Sequence, residues 1–335
     1  MSMAESLSLT IFEHAWYIGD HISAIIYGVN ITVYFMIMHH LITEQTLESH
    51  SKRYFHATYS TIMIILSTFA VSTTGIWGEQ MWIMFRNAPG GVPAFIATQT
   101  ASWSQTLGRG CSVAMVLITD VFMLYRLYVI YSSNYRAVII PFAIWLPALT
   151  FAILELILAS RPNADFFHGK NLHFGTAYYA LSITFNIVVT SLIVIRLHKL
   201  SKTIVSVLGP DSAKLYSSIV SMVIESATPF TLSGVAWIIP YAIGNPTAVG
   251  FGVISNQFGC LAPLLIILRV LNRKAWSSDL VSKSQSRGIH FNPASRSTVV
   301  PIQGYSGQSI AAISTPKEAK NPWNEVTMEH ALHIA

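Results

Sequence analysis

The chain has 335 residues, 52% hydrophobic and only 10% charged, against about 25% charged residues in ordinary soluble domains. Its formal charge is +5, and the cations lie between apolar blocks instead of in one stripe, which argues against a nucleic-acid partner. Two cysteines, both inside apolar segments, supply neither a disulfide framework nor a metal set, and no metal or cofactor is expected.

The first 21 residues hold no Lys or Arg but three acids, Glu5, Glu13 and Asp20, so the positive start of a secretory signal is missing. The first apolar segment is therefore expected to stay in the protein. A helix needs about 20 apolar residues to cross about 30 Å of hydrocarbon. Residues 22–42 form the first such segment and 57–77 the second. The third, 107–131, is the most polar, with Arg109, Asp120 and Arg126. The fourth, 137–159, carries Glu155, and the fifth is 174–195. The sixth, 216–243, carries Glu225, and the seventh is 247–268. Between Glu225 and Arg269 the chain is uncharged, and the 43 residues of 226–268 are too many for one crossing; Gly244-Asn245-Pro246 marks a turn within them.

These segments predict an all-α membrane protein, a seven-transmembrane-helix bundle. Sixteen of the 20 Lys and Arg residues fall on one side of it, including eight from Arg269 onward, which places the C-terminus in the cytosol and the N-terminus outside. Residues 1–20 are then an extracellular N-terminus, 21–270 the membrane domain and 271–335 a cytosolic tail. The tail is rich in Ser, Thr, Pro, Gln and Lys from Ser277 and is read as mostly disordered. The longest external loop, 78–104, contains Met81-Trp82-Ile83-Met84-Phe85, either an interfacial segment or packing against helix ends. The sequon Asn30-Ile31-Thr32 lies within the first span and should escape glycosylation.

Ionisable residues inside a membrane are costly, by at least about 2.5–3.5 kcal/mol on insertion scales, so those that occur are functional candidates. Asp120, Asn186, Glu225 and Asn256 lie at similar depth, roughly 14–20 Å from the cytosolic ends of their spans. Ser218, Ser221, Glu225 and Thr228 share one helix face, as do Ser182, Asn186 and Thr190, and Gly252, Asn256, Cys260 and Pro263. These faces are expected to meet in a polar interior layer. Its role is switching, ion passage or proton transfer, or else simple interhelical hydrogen bonding. Prolines 141, 147, 229, 240 and 263 predict kinks.

Three segments carry a resemblance. Thr119-Asp120-Val121-Phe122-Met123-Leu124-Tyr125-Arg126-Leu127-Tyr128-Val129-Ile130-Tyr131 is the first, Ile219-Val220-Ser221-Met222-Val223-Ile224-Glu225-Ser226-Ala227 the second, and Leu261-Ala262-Pro263-Leu264-Leu265-Ile266-Ile267-Leu268-Arg269-Val270 the third. With these the chain resembles an uncharacterised family of seven-helix membrane proteins of mushroom-forming (basidiomycete) fungi, a likeness that implies a fold but no settled activity. More distantly it resembles G-protein-coupled receptors. Arg126 near the inner end of the third span is then the switch candidate, although the residue before it is Tyr125 and not an acid.

Three function classes follow. A receptor or sensor of the plasma membrane is the leading reading. It implies a small apolar ligand and a heterotrimeric G protein or other cytosolic partner. A membrane-embedded enzyme of terpene-cyclase type would use Asp120 and Glu225 as proton donors. A small-molecule or proton carrier is the third, though no internal repeat supports it. Whether the chain is an enzyme is left open, and its catalytic residues are unknown.

Overall fold

Apolar stretches placed in lipid must satisfy their backbone hydrogen bonds internally, and an α-helix does so within one segment. In the computed structural model, which describes residues 3–43, 50–99, 102–131, 134–161, 169–208 and 210–286, every element is helical. They are α1 (Met3–Thr43), α2 (His50–Glu79), α3 (Gly91–Gln99), α4 (Trp103–Ile130), α5 (Arg136–Ala159), α6 (Gly169–Leu208), α7 (Pro210–Ala242) and α8 (Ala248–Ser286). Among the described residues, six stretches are long and apolar enough to cross a membrane: Leu7–Thr43, His50–Met84, Trp103–Ile130, Arg136–Ala159, Leu172–Leu200 and Ala248–Asn272. The expected sixth span falls on α7, part of whose side chains lie outside the described residues.

Each long helix packs on its neighbours in chain order, and α1 closes the ring against α8. Helix α4 is the axis of the arrangement, since it also touches α6 and α8. Its face carrying Met123, Leu124, Leu127 and Ile130 packs against Phe185, Val189 and Ile193 of α6. Its opposite face, with Cys111, Met115 and Phe122, joins α1, α2 and α8.

The α1–α8 crossing depends on small residues, because helices in lipid gain from close packing more than from hydrophobic burial. A Cβ on Gly19 would lie 2.5 Å from the Gly250 Cα, and one on Gly250 would lie 2.4 Å from the Ala15 carbonyl oxygen. The two backbones are in direct contact there.

The turn expected at Gly244-Asn245-Pro246 is present. Gly244 takes a φ of 69°, where a side chain would be strained. Asn245 Oδ1 then accepts from the Thr247 backbone N at 3.0 Å and from its Oγ1 at 2.9 Å, leading the chain into α8. Pro141, Pro147, Pro229, Pro240 and Pro263 all lie inside helices that continue past them.

Both readings of the 78–104 loop find support. Helix α2 carries on through a π-helical turn, Gln80–Met84, with Met81 fully buried but Ile83 and Met84 exposed. After the turn at Gly90 and Gly91, Val92 and Phe95 of α3 join Phe12, Trp16, Trp77 and Met81 in an aromatic cluster at this end of the bundle.

At the other end α8 departs from expectation. It runs to Ser286, beyond Ser277 where the tail was expected to begin, because no Gly or Pro interrupts residues 264–287. The rest of the tail, 287–335, lies outside the described residues.

Candidate functional site

A cavity of about 160 Å³ lies within the ring, walled by α1, α2, α4, α6, α7 and α8. It faces Gln105–Val116 in the first half of α4, Phe230–Trp237 in the second half of α7, and Val249–Gln257 at the start of α8. These segments share the end of the bundle capped by the α3 cluster, the end that the charge asymmetry assigns to the exterior.

Three sets of polar residues stand on or next to the wall. The first is Gln257, buried on α8, whose Oε1 accepts from Asn30 Nδ2 at 3.1 Å and from Ser67 Oγ at 2.8 Å. One carboxamide thereby ties α8 to α1 and α2. It also seals Asn30, the sequon residue, in the interior. Gln257→Leu should cost about 1–3 kcal/mol, since two buried donors lose their acceptor in a medium offering few replacements. Thermal unfolding of the detergent-solubilised protein measures this, and an unchanged midpoint would show that the bonds add nothing net.

The second set is Ser182 and Asp120. Ser182 of α6 lines the cavity and its Oγ donates to Asp120 Oδ2 at 3.4 Å. Asp120 is 2% exposed and sits one turn below Val116 of the wall, so it lies directly under the cavity floor. The third set is Arg109 of α4, half-buried and lining the cavity, with the buried Glu155 of the neighbouring α5 within electrostatic range. Glu155 is 8% exposed, and its Oε2 has no hydrogen-bond donor. The attraction between opposite charges on adjacent helices offsets part of the cost of burying them.

The structure does not assemble the four expected polar residues into one layer. Asp120 and Asn186 are both buried in the interior, and Asn256 lines the cavity at a higher level. Asn186 spends its carboxamide on helix pairing. Its Nδ2 donates to Thr231 Oγ1 of α7 at 3.2 Å, and Thr190 Oγ1 donates to its Oδ1 at 3.4 Å.

Glu225 is elsewhere. Its side chain is 68% exposed on the outside of the bundle and pairs with Arg269 of α8. Ser221 and Thr228, on the same stripe, are exposed as well, while Ser218 has no described side chain. The inward face of α7 is instead Val223, Ser226, Ala227, Phe230 and Trp237. The expectation of an interior Glu225 is thus corrected. Arg269 ends the seventh apolar segment and draws the carboxylate to the rim, where the charges answer each other without burial.

Arg126 is 9% exposed near the C-terminal end of α4. Its guanidinium lies 5.8 Å from the centroid of the Phe122 ring, which in turn stacks on Tyr59 of α2 at 4.5 Å. Arg126 thus has an aromatic neighbour one turn earlier on its own helix, while Tyr125, the residue in the place of the receptor motif's acid, points outward at 48% exposure.

Sequence reasoning missed Gln257 and the Arg109–Glu155 pair as site residues. The signal for the pair was available: opposite charges near the same ends of two consecutive, antiparallel spans. Neither a protein-family model nor a curated protein matches the chain, so the geometry of this site is what bears on function.

Proposed function

We propose that this chain is a seven-helix receptor or sensor of the plasma membrane, with α7 as the remaining span, the N-terminus outside and the tail in the cytosol. The supporting observation is the cavity, bordered by six of the seven long helices at the expected exterior end. A molecule held there touches elements that run to the opposite face, so it can favour one arrangement of helices over another through differential contact. The resemblance to the fungal seven-helix family is consistent with this reading and stands beside it as part of the proposal. Arg126, buried at the inner end between α2 and α4, is the residue through which rearrangement would reach a cytosolic partner.

The test is nucleotide-sensitive association. The protein, tagged at its tail, is purified from native membranes depleted of guanine nucleotides, with a known receptor of the same membranes in parallel. Co-purification of a G-protein α-subunit, released by a GTP analogue, is the expected outcome. Arg126→Ala should reduce the recovered α-subunit about tenfold or more while leaving insertion and yield intact, the size of a coupling energy of about 1–3 kcal/mol. Absence of any α-subunit, with the parallel receptor positive, would remove G-protein coupling from the reading.

A further inference from the structure

The hydrogen-bonding pattern of the cavity wall narrows what it can hold, and this inference rests on the receptor reading above. The volume, about 160 Å³, is close to the roughly 150 Å³ engineered cavity that accepts benzene, and below the 300 Å³ or so of typical drug-sized sites. An occupant is therefore about one ring in size.

Gln257 lines this cavity at only 1% exposure, and its neighbours decide which end of its carboxamide remains to be used. Asn30 donates from one side-chain atom to the Gln257 backbone carbonyl at 3.3 Å, which fixes that atom as Nδ2. The Gln257 side-chain atom 3.1 Å from the same nitrogen must then be an acceptor, so it is Oε1. Ser67 Oγ donates to that oxygen too. What is left is Nε2, whose two N–H groups have no acceptor among the described residues. The bonds to Asn30 and Ser67 hold this donor in place before any ligand arrives.

The rest of the wall does not serve it. No Asp or Glu lines the cavity among the described residues. The hydroxyls of Ser112 and Ser182 spend their protons on the Gly108 carbonyl and on Asp120, so they are already satisfied. A buried N–H without an acceptor costs more than its bond would gain net, so an occupant that brings an acceptor is favoured over one of the same shape that brings none.

An aromatic wall lies one ring away. A Cβ on Gly252 of α8 would be 2.9 Å from Trp237 Nε1, which places the indole beside that glycine. Tyr179 holds the indole edge-on at 3.9 Å between centroids, and Tyr241 stacks on it at 5.2 Å. From Gly252 to Gln257 the helix rises about 7.5 Å, the reach of a single ring that carries a carbonyl.

We infer that the cavity binds a small carbonyl compound, a ketone, ester or lactone of about one ring, whose oxygen accepts from Gln257 Nε2 while the ring lies against Trp237.

The experiment uses the full chain in lipid nanodiscs and two probes of one shape. Acetophenone presents a carbonyl oxygen where α-methylstyrene has a methylene group. Binding is measured by equilibrium dialysis, referenced to the probe dissolved in lipid, and only the saturable part in excess of empty nanodiscs is counted. Val253→Phe, or Val253→Leu should the first not fold, fills the cavity and should abolish that part. Acetophenone is expected to bind about tenfold more tightly than α-methylstyrene. Gln257→Leu should remove this difference by weakening acetophenone alone, whereas Trp237→Leu should weaken both probes alike by about threefold to tenfold.

A second measurement needs no variant. The infrared carbonyl stretch of bound, carbon-13-labelled acetophenone should lie below that of the probe in lipid, where no donor meets it, so the inference stays testable if Gln257→Leu does not fold. It is overturned by equal binding of the two probes, by Gln257→Leu weakening both alike, by an unshifted carbonyl stretch, or by no saturable, Val253-sensitive binding. Neither probe enters the nucleotide-release measurement, so failure here and failure of the receptor reading are separate results.

Discussion

Gly250→Leu should prevent α1 from docking on α8, and even Gly250→Ala should cost about 2–3 kcal/mol, the usual size of overpacking in a site that cannot yield. The added Cβ would lie 2.4 Å from the Ala15 carbonyl oxygen and 3.1 Å from its carbonyl carbon. These are backbone atoms, so no rotamer change relieves the clash. The helices must separate by roughly 1 Å to restore ordinary van der Waals distance, and every contact along the crossing loosens with them. Gly19→Ala should behave alike, since its Cβ would meet the Gly250 backbone at 2.5–3.0 Å. Gly28 supplies the control, for it lies on the same helix with nothing within 4 Å of its would-be Cβ. Gly28→Ala should be neutral or stabilise by up to about 1 kcal/mol through helix propensity alone. Thermal unfolding in detergent, followed by the monodisperse fraction on size exclusion, separates the two classes. A Gly250→Ala protein as stable as Gly28→Ala would mean that α1 and α8 are not in backbone contact.

Hydropathy made the helices legible in sequence, along with the turn at Gly244 that divides the long uncharged run. It did not reveal which face of each helix turns inward. A soluble helix declares its inner face by contrast with water, but lipid is as apolar as a protein core, so that contrast is weak. The α7 stripe shows the consequence. Thr228 sits on the exposed face at no hydrogen-bonding cost because its Oγ1 donates to the Ile224 carbonyl of its own helix at 2.6 Å. Thr32 and Thr184 do the same on other exposed faces. Ser and Thr spacing therefore says little about the interior. Carboxamides and carboxylates cannot satisfy themselves this way. Asn30, Asp120, Asn186 and Gln257 are all buried, each with a partner on another helix. Glu225 escapes the rule only because Arg269 meets it at the rim, and no local pattern in α7 announces a partner 44 residues on. The cavity was illegible for a similar reason. It arises where six helices fail to fill the space between them, a property of their packing and of no single segment.

Removing either member of the Arg109–Glu155 pair alone should destabilise the bundle by about 3 kcal/mol, and removing both should return most of that loss. Glu155 is 8% exposed with Oε2 unbonded, so in Arg109→Met its carboxylate would keep the desolvation cost and lose the compensating charge. In Glu155→Met the guanidinium is the group that loses this counter-charge. The expected loss falls at the lower end of the range of about 3–5 kcal/mol for broken buried pairs, because Arg109 borders a cavity with room for water. The double variant Arg109→Met/Glu155→Met buries no charge at all. Apolar replacements of similar volume in such pairs are often neutral or better, so it should unfold near the wild type. A double-mutant cycle on thermal midpoints tests this directly. A coupling energy of several kcal/mol supports the pair, whereas two single effects that add to within about 0.5 kcal/mol would show two independent residues.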